Sequence, residues 1–213
     1  RVEAYDRGQL EAFIQALLDK YDNNAQYHKY AYLRLLAFTG MRNGEARALE
    51  WSDVHLDGPE PYIDVNKTMS DVTGKGVVIN APKTKAGNRT VKLDPITTQV
   101  LRRWRVIQGQ RLMRRGLPSN VVWTNQRLSG RISSNQPREW LLSAIKGTNV
   151  PQINVHGLRH TYITLAVEAN VPIKALQAQV GHDDINTTLG VYAAVTKDMR
   201  AKTTELFTAL VNF

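Results

Sequence analysis

The sequence predicts a mostly α-helical α+β domain with a small three-stranded antiparallel sheet. Three observations lead there. Apolar residues recur at helical spacing through residues 7–38. Short β-type runs separated by glycine-bearing turns fill residues 62–93. From Asp94-Pro95 the helical period returns and continues towards the end of the chain. Helices, then strands, then helices is the segregated order of an α+β layout.

Residues 7–21 set Leu10, Phe13, Ile14, Leu17, Leu18 and Tyr21 at the spacing of an amphipathic helix. Residues 27–38 are apolar nearly all round (Tyr30, Tyr32, Leu33, Leu35, Leu36, Phe38), which predicts a buried helix ended by Thr39-Gly40. A short helix is expected at 43–50. The runs 62–65, 77–79 and 90–93 are the three expected strands, with turns at Thr73–Gly76 and Lys85–Asn88. Asp94 caps the next helix and Pro95 takes its first position. Its expected inner face is Ile96, Val100, Leu101 and Trp104, and it also carries Arg102, Arg103, Arg105, Arg111, Arg114 and Arg115. Further helices are expected at 137–146, 157–169, 173–180, about 186–194 and 197–211.

Composition bounds the function. The 213 residues, 42% hydrophobic and 22% charged, suffice for one sizeable core and rule out wholesale disorder. Lys and Arg total 28 against 19 Asp and Glu, a net +9, which suits a polyanionic partner or a merely soluble basic protein. The chain has no cysteine, which excludes a disulfide scaffold, cysteine-ligated metals and a cysteine nucleophile. No apolar run approaches the roughly 18 residues of a membrane span. Residues 1–25 lack a signal-peptide layout. A membrane-surface role would need a basic helix with an aromatic face, which is missing. The chain begins at Arg1 rather than Met, so it is expected to be an excised domain.

Four segments carry chemistry. In Thr39-Gly40-Met41-Arg42-Asn43-Gly44-Glu45 an arginine sits in a glycine-bracketed turn; alone, it reads equally as a surface residue or a partner of Glu45. Residues 82–89 form a basic hairpin tip holding Lys83 and Lys85, which alone is a solvated turn. In His156-Gly157-Leu158-Arg159-His160, helical spacing lets both histidines and Arg159 share a face. The two histidines also have a metal-ligand spacing, but the glutamate of a metalloprotease helix is missing, and a capping or packing histidine is the ordinary reading. Finally, Gly181-His182 follows a helix, with Tyr192 ten residues on; a core tyrosine is the plain alternative.

In this order the motifs TGMRNGE, PKTKAGNR, HGLRH, GH and Tyr192 resemble the catalytic domain of the tyrosine recombinases, the phage-type integrases. The phrasing is similar to integrases of Gram-positive conjugative transposons and phages. The resemblance covers residues 1 to about 195 and implies that family's catalytic-domain fold. Residues 196–213 are then a tail helix, packed on its own domain or exchanged between protomers, and N-terminal DNA-binding domains are absent from the chain.

The resemblance implies site-specific strand exchange on double-stranded DNA by a homo-tetramer, with possible directionality or DNA-bending partners. It implies no cofactor, no metal and no membrane, and a cytoplasmic, nucleoid-associated setting. Arg42 and Arg159 would clamp the non-bridging phosphate oxygens, a task suited to permanently charged forks. Tyr192 would attack phosphorus, its phenol eased from a pKa of roughly 10 by nearby positive charge. Lys83 would protonate the leaving 5′-oxygen, with Lys85 as rival. His156 and His182 would donate hydrogen bonds or assist proton transfer, and His160 would support the structure. The alternatives are a type IB topoisomerase-like relaxing enzyme and a catalytically silent DNA-binding module.

Overall fold

A computed structural model describes residues 3–72, 76–81 and 87–181. Asp6 starts the first helix, α1 (Arg7–Tyr21), through a capping box. Its carboxylate accepts from the Gln9 N–H at 2.8 Å, and Gln9 Oε1 accepts from the Asp6 N–H at 3.1 Å. Helix α2 (Tyr27–Thr39) is the central rod: every residue from Tyr30 to Ala37 is buried. Each large apolar side chain sequestered there contributes about 1.5–3 kcal/mol. The one charged residue of that buried stretch, Arg34, lies over the Phe38 ring and donates to Asp94 at 3.3 Å. A short helix α3 (Asn43–Ala48) follows, as expected.

The sheet region differs in detail from the sequence expectation. The three-stranded antiparallel sheet has the order β1 (Val54–His55), β2 (Tyr62–Val65), β5 (Arg89–Lys92). Ile63 and Val91 face each other in register and are both fully buried. The 77–79 run lies instead in β4 (Gly76–Asn80), paired with β3 (Thr68–Val72) as a separate hairpin. Met69 is its one buried residue, while Val72, Val77 and Ile79 stay exposed. A hairpin without a buried face leaves no alternating pattern in the sequence.

Helix α4 (Pro95–Arg114) is capped by Asp94, whose Oδ1 accepts from the N–H groups of Ile96 and Thr97. Its inner face runs through Thr97, Val100, Leu101, Trp104 and Gln108. Ile96, expected on that face, is 56% exposed, because the buried stripe passes through Thr97 instead. Trp104 stacks parallel to Trp123, and its Nε1 donates to the Val122 carbonyl. Helix α5 (Gln136–Ile145) packs on α1 and α2, and α6 (Gly157–Glu168) packs on α2. Helix α7 (Ile173–Val180) joins α6 in a second small core of Ile163, Val167, Leu176 and Val180. The helices expected at 186–194 and 197–211 lie outside the described residues. Among the described residues, no helix is long and apolar enough to cross a membrane.

Candidate active site

The end of α2, the start of α6 and the end of α7 meet at one place. Gly40 makes this possible. It ends α2 in the left-handed region (φ 65°), and a Cβ there would lie 2.6 Å from Tyr162 Cδ1. The reversed chain buries Met41 and delivers Arg42 to the N-terminus of α3.

Arg42 is held from two sides. Its Nη1 donates to Glu45 Oε1 at 3.0 Å, and its Nη2 donates to the Gly181 carbonyl at 3.2 Å. Its backbone N–H donates to Glu45 Oε2 at 2.8 Å. The side chain remains 41% exposed, so the guanidinium is fixed yet accessible.

Arg159, in the first turn of α6, is only 2% exposed. Its Nη1 donates to the Gly40 carbonyl at 2.6 Å. Its Nη2 is buried and, among the described residues, has no hydrogen-bond partner. Burial first, and then the Arg42 charge, push its pKa down to about 9, so the group is still a cation at neutral pH. A buried charged donor without an acceptor is costly, and an arriving anion would relieve that cost.

Glu45 is the counter-charge. It is 5% exposed and receives Arg89 as well as Arg42: Arg89 Nη1 reaches Oε1 at 3.0 Å and Nη2 reaches Oε2 at 2.8 Å. Burial opposes its ionisation, but the hydrogen bonds and charge of Arg89, then those of Arg42, outweigh it. The carboxyl is held below its ordinary range. One carboxylate thus serves two guanidiniums, and Arg159 adds a third positive charge beside them.

His156 stands at the cap of α6 rather than inside it, and its carbonyl accepts from the N–H groups of Arg159 and His160. Its ring meets the His160 ring edge-on at 4.7 Å. Burial, then His160, Arg159 and Arg42, lower its pKa, so at neutral pH it is a neutral imidazole with one donor and one acceptor nitrogen. The shared face expected for His156, Arg159 and His160 divides: the histidine rings pair, and Arg159 turns inward to Gly40. Among the described residues, no cluster of His, Asp and Glu is placed to hold a metal.

Of the six predicted site residues, Arg42, His156 and Arg159 therefore converge in one electrostatic neighbourhood. Lys83, His182 and Tyr192, like the rival Lys85, lie outside the described residues. Two residues gained weight only from the structure. Glu45 figures in the sequence as a possible partner of Arg42, and Arg89 as the last letter of a basic turn. Their pairing across 44 residues has no local signal.

Comparison with known proteins decides the lineage. Residues 6–199 match the model of the phage integrase family. The chain belongs to that family. It is 30% identical over 190 residues to the integrase of Staphylococcus phage L54a, covering 84% of this chain and 52% of that protein. It is 26% identical over 210 residues to a tyrosine recombinase XerC-like protein of Caldanaerobacter subterraneus subsp. tengcongensis, covering 92% of this chain and 54% of that protein. The chain thus spans about half the length of these phage integrase relatives. The fold is similar to that of the Tn1549 transposon integrase, solved with circular intermediate DNA. That likeness has a TM-score of 0.72 at 23% identity and covers 95% of this chain and 66% of the other.

Proposed function

We propose that this chain is the catalytic domain of a site-specific DNA recombinase working through a 3′-phosphotyrosyl intermediate. The observation that carries the reading is the unfilled donor: among the described residues, buried Arg159 Nη2 has no acceptor, and the charge of the partly exposed, doubly tethered Arg42 acts on it. Two fixed guanidiniums in one electrostatic neighbourhood suit the non-bridging oxygens of a phosphodiester, whose charge grows in the transition state.

In the proposed reaction the Tyr192 phenol gives up its proton to water or a site histidine as its oxygen attacks phosphorus in line, and the P–O5′ bond breaks. The 5′-oxygen takes a proton from Lys83, and the phosphate stays on the tyrosine as a diester to the 3′ end. Attack by a 5′-hydroxyl from another strand reverses these steps and rejoins the DNA. Bond energy is conserved, so the scheme calls for no nucleotide. Neutral His156 donates a hydrogen bond to the phosphate, and His182 plays a similar part. Double-stranded DNA as partner is supported by the net charge of +9 and by the DNA bound to the Tn1549 relative. A tetramer on two duplexes, accessory DNA-bending proteins, a bacterial cytoplasmic setting and an exchanged tail at 196–213 complete the proposal.

The test is single-turnover cleavage of a nicked recombination-site duplex that traps the covalent adduct on a denaturing gel. The unaltered protein is expected to form the adduct. Arg42→Ala should lower the rate by about 10²–10³-fold or more. Cleavage by Arg42→Ala within about tenfold of the unaltered protein would make Arg42 a structural residue and remove the basis of the reading.

A further inference from the structure

Arg89 opens β5, and all three nitrogens of its guanidinium are bonded within the protein. Both terminal nitrogens go to Glu45, at 3.0 and 2.8 Å. Nε donates to the Gln179 carbonyl, in the last turn of α7, at 2.9 Å. Both members of the Arg89–Glu45 pair have side chains only 6% exposed. Arg89 shares Glu45 with Arg42, and its Gln179 contact lies in the turn that holds Arg42 from the other side. Glu45 accepts from Arg42 directly. The α7 turn ends in Gly181, whose carbonyl accepts from Arg42 Nη2. That turn is shaped to Arg89: Gly181 has φ 66°, and a Cβ on it would lie 2.7 Å from Arg89 Nη1 and 2.8 Å from Cδ.

We infer that Arg89 is a positioning residue for strand cleavage, one that sets the Arg42 guanidinium through Glu45 and the Gly181 turn without touching DNA. The inference rests on the recombinase reading. Geometry sets its terms. Arg42 is 41% exposed and would be a mobile surface side chain without its two tethers; Arg89 bonds one of them, Glu45, and packs against the turn that carries the other. Two further proposed groups adjoin this network along the chain: His182 directly follows Gly181, and Lys83 lies six residues before Arg89. A fork of fixed planar donors can serve two carboxylate oxygens and a carbonyl together; a lysine ammonium cannot reproduce that plane. The helix has an independent tie to the strand. Lys92 N–H donates to Gln179 Oε1, and Gln179 Nε2 donates to the Lys92 carbonyl, each at 3.1 Å. Arg89→Lys therefore keeps a positive charge beside Glu45 and leaves α7 docked, while loosening the Arg42 tethers.

The experiment combines cleavage kinetics with a direct view of Arg42. Arg89→Lys is expected to bind site DNA within about threefold of the unaltered protein while cleaving about 10²-fold more slowly, the cost of a misplaced group. In an Arg42→Lys background, the same change should cost less than about threefold further, because the two residues act as one unit. In ¹⁵N-arginine NMR, the Arg42 Nε–H resonance should be distinct in the unaltered protein and move to the free-arginine position in Arg89→Lys. Cleavage at the normal rate, a loss that multiplies fully with Arg42→Lys, or an unmoved Arg42 resonance overturns the inference. If the unaltered protein forms no DNA adduct, the recombinase reading fails, and the resonance alone decides whether Arg89 positions Arg42.

Discussion

Arg159 donates to the Gly40 carbonyl at 2.6 Å across 119 residues of chain, joining the start of α6 to the end of α2. The bond exists because Gly40 takes a backbone conformation that other residues avoid, so that its carbonyl faces Arg159 while Met41 turns into the core. The same turn delivers Arg42. One glycine thus fixes both arginines of the proposed phosphate clamp.

Gly40→Ala should accordingly be expensive. The left-handed backbone and the 2.6 Å approach to Tyr162 together should cost about 1–3 kcal/mol. Thermal unfolding would register this as a lower Tm, and cleavage should fall beyond what the loss of folded protein explains. An unchanged Tm would mean that the turn relaxes without strain.

The site also gives stability a pH dependence of definite sign. The Glu45 carboxyl is depressed in the folded state, so it contributes stability above its unfolded pKa of 4.5. That contribution is lost as pH falls through the lower folded value. His156 is also depressed, so below its unfolded value of 6.5 the unfolded chain binds a proton that the folded protein does not. Both make stability rise with pH. Denaturant melts between pH 3 and 7 should show this, and Glu45→Gln should flatten the acid end. A steeper acid end in that variant would contradict the assignment.

DNA binding should be largely electrostatic. With a net charge of +9, affinity should fall with salt at a log–log slope near −0.9 for each phosphate neutralised. A titration between about 50 and 200 mM salt reads the slope directly, and a flat response would remove the charge from the account.

Lys83, rather than Lys85, should be the general acid. Along the chain it directly follows Pro82 and lies three residues after Asn80, where β4 ends, whereas Lys85 lies five residues after it. Sulfur in place of the leaving 5′-oxygen departs without a proton. Lys83→Ala should be severely slow on ordinary DNA and largely rescued on the 5′-thio substrate. Rescue of Lys85→Ala instead would move the role two residues along.

Much of this architecture is legible in the sequence because its punctuation is local. Gly40, Asp94-Pro95 and Gly181 mark helix ends, and the structure ends α2, starts α4 and ends α7 at those marks. The Arg42 turn is legible for the same reason. What escapes is long-range or lacks a buried face. Thr68–Val72 forms a strand with Met69 as its one buried residue, and Val54–His55 is a strand of two residues. Thr97 replaces Ile96 on the inner face of α4 because tertiary packing chose the stripe, where hydrophobicity favoured the isoleucine. The Glu45–Arg89 pair joins a helix to a strand 44 residues away, a contact that spacing alone does not encode.

The central claim is that Tyr192 becomes covalently joined to a DNA 3′-phosphate. Trapping the adduct on a nicked site, digesting it and sequencing the modified peptide by mass spectrometry tests this most directly. A nucleotide-phosphate mass is expected on the peptide bearing Tyr192, and no adduct from a Tyr192→Phe protein that still binds DNA. An adduct on any other residue, or a normal adduct yield from Tyr192→Phe, would contradict it.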